Sequence, residues 1–175
     1  MKGEGRTTDV ANRHPRLRID RRAIAAAVDL LDAHAASFRG GCPPGALSVA
    51  LLGDPALAGL HARHMGDPSA TDVITFSGDR ANDVAGEICL SADAAARHAG
   101  RAGERLSSEI TLYLVHGWLH LAGYDDREPA AKREMRRAEA RAMRLLARHG
   151  AVPRFKLALA ALTGSNAGTL RPRHG

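Results

Sequence analysis

Aromatic residues are scarce in this chain. One Trp, two Tyr and three Phe make up 3% of its 175 residues. The core has to be assembled from Ala, Leu, Val and Ile, within an apolar fraction of 45%. Cysteine is rarer still. Cys42 and Cys89 form no C-x-x-C pair and no disulfide framework, so a reduced, cytoplasmic protein is the simpler expectation. No window holds the roughly 18 apolar residues of a membrane helix, and no membrane partner is expected. The N-terminal arginines Arg6, Arg13, Arg16 and Arg18 are followed by no apolar run, which argues against a secretory signal. There is no internal repeat.

The length fits one domain with a real core. Lys and Arg number 25 against 19 Asp and Glu, for a net charge of +6 and a pI near 10.1. That excess suits a polyanionic partner such as RNA, and serves solubility equally well.

The chain is organised around His116-Gly117-Trp118-Leu119-His120-Leu121-Ala122-Gly123-Tyr124-Asp125-Asp126. Residues i and i+4 of a helix share one face, one turn apart, so His116 and His120 can reach one metal ion. Gly123 suits the left-handed turn that stops a helix and lets the chain bring Asp126 back toward both histidines. The pattern H-x-x-x-H-x-x-G-x-x-D has the spacing of an extended zinc-peptidase motif with Asp as third ligand. Catalytic zinc takes three such protein ligands and keeps one position open. The peptidases carry their general base, Glu, directly after the first histidine; here Gly117 stands there.

Elsewhere the pattern predicts a helix from the N-cap Asp20 to about Phe38 and a buried strand over 46–52. A helix capped by Asp54 with Pro55 in its first turn follows. Strands over 72–76 and 84–90 pair as a hairpin, with Val84, Gly86, Ile88 and Leu90 on one face. Ser91 caps the next helix. The motif helix, from Ser107 or Ser108 to Ala122, is apolar nearly all round and should be central. A last helix from Glu128 to Gly150 carries Lys132, Arg133, Arg136, Arg137, Arg141, Arg144 and Arg148 on its outer face. Residues 1–17 read as a flexible N-terminal arm, 18–150 as a single domain and 151–175 as a mostly disordered tail. The fold expected is α+β, a small mixed β-sheet packed with several helices, with a zincin-like metal-binding helix at its centre.

The stretch from His116 to Asp125 resembles the signature of the YbeY family of metal-dependent endoribonucleases of rRNA maturation. Thr71-Asp72-Val73-Ile74-Thr75-Phe76 and Gly86-Glu87-Ile88 resemble two further elements of that family, in order. The likeness covers about residues 45–148. It implies a single-strand-specific endoribonuclease with one Zn2+ per chain, acting on rRNA precursors and the small ribosomal subunit, at the 16S 3′ end and in ribosome quality control. It implies His116 as a catalytic and metal residue, with His120 and Asp126 completing the ligands. The family usually has a third His where Asp126 stands, and an Arg where this chain has Met65. Asp126 keeps a metal-competent ligand, and Asp125 competes with it or orients a ligand. Arg63 is a weak substitute for the arginine, and Arg133 and Arg137 are RNA-contact residues on the basic helix face. Glu109, two turns before His116, is either a partner for the site or a helix-start carboxylate. Two alternatives stand beside this reading: a non-catalytic ribosome-assembly factor with a structural metal, and a zincin-like peptidase.

Overall fold

The computed structural model describes residues 6–67, 69, 71–102 and 105–158. Four strands form a mixed sheet: β1 (Thr7–Asn12), β3 (Ala46–Leu52), β5 (Val84–Ser91) and β4 (Val73–Ser77), in that spatial order. The first two pairings are parallel, and β4 runs antiparallel to β5 as the outer arm of the hairpin. A two-stranded antiparallel pair, β2 (Leu17–Arg18) and β6 (Lys156–Leu157), ties the start of the domain to its end.

Five helices accompany the sheets: α1 (Arg21–Ala33), α2 (Asp54–Met65), α3 (Ala92–Ala102), α4 (Leu106–Leu121) and α5 (Pro129–Arg148). Asp20 caps α1 as its side chain accepts the N–H groups of Arg22 and Ala23. The helix stops at Ala33, and a single 3-10 turn, Ala35–Ser37, carries the chain on to Phe38. Ser91 Oγ accepts the Ala94 N–H at the start of α3. The hydrophobic helix α4 is the centre of the molecule, with Trp118 fully buried and Phe38 edge-on to it at 5.5 Å. Its indole N–H donates to Asp32 of α1 at 3.0 Å. The inner stripe of α5 (Met135, Ala138, Ala142 and Leu146) closes the core.

Four expectations change. Residues 7–12 are not part of a flexible arm but form β1, paired with all but the last residue of β3. An edge strand with one buried apolar residue, Val10, has no local pattern to announce it. Arg6 anchors its start, donating to Asp32 and to the carbonyls of Cys42 and Gly45. The tail begins ordered: Phe155 is buried and β6 pairs with β2, while residues 159–175 lie outside the described part. Gly53 rather than Asp54 is the N-cap of α2. The Asp54 carboxylate instead accepts the Ser91 hydroxyl and pairs with Arg97. Val84 does not share the face of Gly86 and Ile88, because a register shift between Ala46 and Leu47 turns it outward, 37% exposed.

Candidate metal centre and its two clefts

The end of α4 builds the site. Gly123, at φ +90°, closes the helix in the left-handed conformation. Its N–H donates to His120 C=O and the Tyr124 N–H to Leu119 C=O, the paired bonds of a Schellman stop. The Tyr124 carbonyl then faces back and accepts from His120 Nδ1 at 3.1 Å. Asp125 Oδ1 accepts the backbone N–H groups of Asp126 and Arg127, an Asx turn that folds the next residue inward. The Asp126 carboxylate arrives 3.6 Å from His116 Nε2 and 3.8 Å from His120 Nε2. Among the described residues His116, His120 and Asp126 are the one group that could hold a metal ion, with ligand atoms within 4.8 Å of one another.

Hydrogen bonding behind the rings decides what faces the centre. His116 Nδ1 lies 2.7 Å from Glu139 Oε1 of α5. Carbonyls and carboxylates only accept, so each Nδ1 carries the proton and each Nε2 presents a lone pair. The two Nε2 atoms are 2.9 Å apart. Two lone pairs at that separation repel unless a cation stands between them. Burial, then the neighbouring His116, pushes the His120 imidazole below the ordinary histidine value, against the pull of Asp126. It stays neutral near pH 7, the form that ligates metal. Two imidazoles and a carboxylate suit zinc, iron, cobalt or nickel.

Glu139 is a site residue that sequence reasoning misses. Its position carried a signal: it stands four residues after Met135 and three before Ala142, at the edge of the buried stripe. Glu109 is buried at 5% exposure, but its neighbour is His98, 2.5 Å away, and not His116.

Two clefts meet at the triad. One, of about 450 Å³, is lined by Asp72, His98, Glu109, Tyr113 and Glu139. The other, of about 710 Å³, is lined by His61, Met65, Thr75, Ser77, Gly123 and Arg127. His116, His120 and Asp126 border both. Arg63, Arg133 and Arg137 are exposed and line neither cleft. At about 100° per residue, Arg137 lies about 160° around α5 from Glu139 and Arg133 about 120°. The guanidinium that does enter a cleft is Arg127.

Fold and site together define an α+β protein with a metal-competent His2Asp centre on its buried helix. The chain belongs to the Endoribonuclease YbeY family, whose model matches residues 9–147. A relative of that name from Frankia alni is 40% identical over 106 residues, 53% of this chain and 59% of that protein. One from Geobacter sulfurreducens is 37% identical over 113 residues, covering 61% and 75%. One from Beutenbergia cavernae is 33% identical over 143 residues, covering 74% and 89%. The chain spans 59%, 53% and 66% of the lengths of the Frankia alni, Frankia casuarinae and Thermobifida fusca relatives. The solution structure of a Thermotoga maritima protein shares the fold, with a TM-score of 0.58 at 20% identity over 82% of this chain and 92% of that one.

Proposed function

We propose that the chain is a zinc-dependent, single-strand-specific endoribonuclease, binding one Zn2+ through His116, His120 and Asp126. Its substrate is rRNA precursor at the 16S 3′ end, and it works on the small ribosomal subunit and in ribosome quality control, in the cytoplasm. Family membership supports the activity. The observation that carries the metal chemistry is the pair of back-bonded imidazoles whose Nε2 atoms converge beside a carboxylate. When bound there, a divalent ion lowers the pKa of water and offsets phosphodiester charge. Glu139 and the Tyr124 carbonyl hold the rings in their tautomers, the orienting role that such partners have in metal sites. Arg127 supplies a cation for the phosphate within the larger cleft. The exposed arginines of α5, Arg133 and Arg137 among them, with Arg63 on α2, are a surface for flanking phosphates of a longer strand.

Both alternatives meet a physical objection. A peptidase of this motif needs Glu at position 117. A Cβ on Gly117 would come 2.5 Å from Ile88 Cγ2, because α4 lies on β5 there. A structural metal asks for a closed set of four ligands. Here three protein groups converge among the described residues, and their centre opens on two clefts.

The test joins metal content to cleavage. Protein purified without added metal or an affinity tag is measured by mass spectrometry as wild type, His120→Ala, Asp126→Ala and Asp125→Ala. About one zinc per chain is expected, lost from His120→Ala and Asp126→Ala and retained at lower affinity by Asp125→Ala, which loses the turn acceptor but no ligand. Cleavage of single-stranded RNA should vanish in folded His116→Ala. Undiminished cleavage by that variant overturns the nuclease reading.

A further inference from the structure

The smaller cleft holds two buried polar groups that the proposed hydrolysis does not use. Glu109 is 5% exposed and Tyr113 is 7% exposed. Both line the cleft. Neither Glu109 Oε1 nor the Tyr113 hydroxyl has a hydrogen-bond partner among the described residues. His98 Nδ1 lies 2.5 Å from that Oε1, on a half-exposed side chain, but not in the geometry of a hydrogen bond. His98 offsets part of what burial costs the Glu109 carboxylate, while the Tyr113 hydroxyl is left without a partner in the free protein among the described residues. A ligand that donates to this pair improves on that state.

Charge sorts the two clefts. The smaller one has four carboxylates on its walls, from Asp72, Glu109, Asp126 and Glu139, and no Lys or Arg among its described lining residues. It repels phosphate. The larger one has two carboxylates, Asp125 and Asp126, but also the guanidinium of Arg127, beside neutral hydroxyls. A strand crossing the triad therefore puts its ribose-phosphate on the side of Arg127, and a base on the side of Glu109.

Spacing agrees. Glu109 precedes His116 by seven residues, about 10 Å along α4 at 1.5 Å per residue. Helical side chains lean toward the N-terminus, so Glu109 does not bend back to the metal centre. That is too far to give a proton at the scissile bond. It is the reach of a nucleobase attached beside it. The cleft volume, about 450 Å³, falls within the roughly 300–1,000 Å³ of small-molecule sites.

We propose that Glu109 and Tyr113 form a nucleobase subsite that selects guanine next to the cleaved phosphodiester. Guanine alone among the RNA bases offers two adjacent donors, N1–H and N2–H, to one carboxylate. Adenine and cytosine put an acceptor beside their amino group, and uracil sets one N–H between two carbonyls. The Tyr113 hydroxyl, one turn along α4 from Glu109, is the second polar group of the subsite. The place of the subsite beside the cleaved bond rests on the nuclease reading; the subsite itself is tested without cleavage.

The test is ligand-observed NMR titration of the full chain with 5′-GMP, 5′-AMP, 5′-CMP and 5′-UMP. Wild type should prefer GMP by about tenfold. Glu109→Gln should abolish the preference, since the amide presents a donor to N1–H or N2–H. Tyr113→Phe, nearly isosteric, should weaken GMP binding if the folding of the first variant is in doubt. Equal binding of the four nucleotides to wild type, or a preference that survives in both folded variants, overturns the subsite. Guanine-selective binding with no RNA cleavage would leave the subsite standing and remove the nuclease reading.

Discussion

Removing Glu139 tests the site at the residue that holds it together from outside. Its Oε1 lies 2.7 Å from His116 Nδ1, and its side chain is 18% exposed. Glu139→Ala deletes the acceptor, frees the His116 ring to rotate and removes the bias that keeps the proton on Nδ1. Losing such an orienting partner costs about 10- to 100-fold in metal affinity. Glu139→Gln keeps an acceptor of the same shape and loses the charge. Charge-assisted bonds are about twice as strong as neutral ones, so this variant should lie between wild type and Glu139→Ala, within about tenfold of wild type. Zinc affinity is read by competition with a chromophoric chelator. A second readout separates orientation from folding. By linkage, a 10- to 100-fold loss removes about 1.4–2.7 kcal/mol of stabilisation under zinc excess, while the metal-free protein should be little changed. Unaltered zinc affinity in both variants would refute the argument. So would an equal loss of stability with and without zinc, which would make Glu139 a packing residue.

Two further predictions concern the scaffold. Asp32 accepts Arg6 Nε at 2.6 Å, Arg6 Nη2 at 3.2 Å and Trp118 Nε1 at 3.0 Å. Asp32→Ala leaves a guanidinium that is 8% exposed and a buried indole N–H without their carboxylate. The loss should reach about 3–5 kcal/mol in urea unfolding; a loss under about 1 kcal/mol would show that Arg6 finds its partners elsewhere. Burial pushes the Cys89 thiol up to about 12 and the Cys42 thiol up to about 11. Both should resist alkylation at pH 8 until the protein unfolds. The folded state keeps thiol protons that the unfolded chain loses above about pH 9, so stability is full below that pH and falls as pH rises toward 11–12. Alkylation at the unfolded rate in native buffer would contradict this.

Legibility in the sequence followed range. The strand at Ala46–Leu52, the helix from Pro129 and the motif helix were readable because their signals are local: an apolar run, a proline in a first turn, a repeat of apolar residues. The core of the site was readable for the same reason. His116, His120, Gly123 and Asp126 act within eleven residues, through one helix turn and one stop. What escaped comes from far away in the chain. β1 is a strand because β3, more than thirty residues later, supplies its hydrogen bonds. Glu139 reaches His116 across 23 residues. Asp54 left its helix cap for Ser91 and Arg97, a choice that only the packing of α2 beside α3 creates. Arg133 and Arg137 were chosen by charge, and Arg63 by its nearness to the position of the family's arginine; neither says which way a helix face turns.

Arg127 is the last consequence of that geometry. Against the family pattern, Met65 removes one positive charge and Asp126 adds a negative one, so the site meets an anionic strand with two charges fewer. Met65 still borders the larger cleft, 56% exposed, and Arg127 enters the same cleft from the loop beside Asp126. Arg127 is now paired with Asp125 at 3.2 Å, on a side chain that is 86% exposed. A pair so open to water is worth about 0–1 kcal/mol, so a phosphate can take the guanidinium at little cost. Arg127→Ala should weaken single-stranded RNA binding and lower the salt slope of log Kd by about one. Zinc content should be unchanged, because the backbone N–H groups that shape the Asx turn remain. Met65→Arg in the Arg127→Ala background should restore binding, since both side chains serve one cleft. A salt slope untouched by Arg127→Ala would show that the strand's phosphates run elsewhere, and the sorting of backbone and base between the two clefts would fall with it.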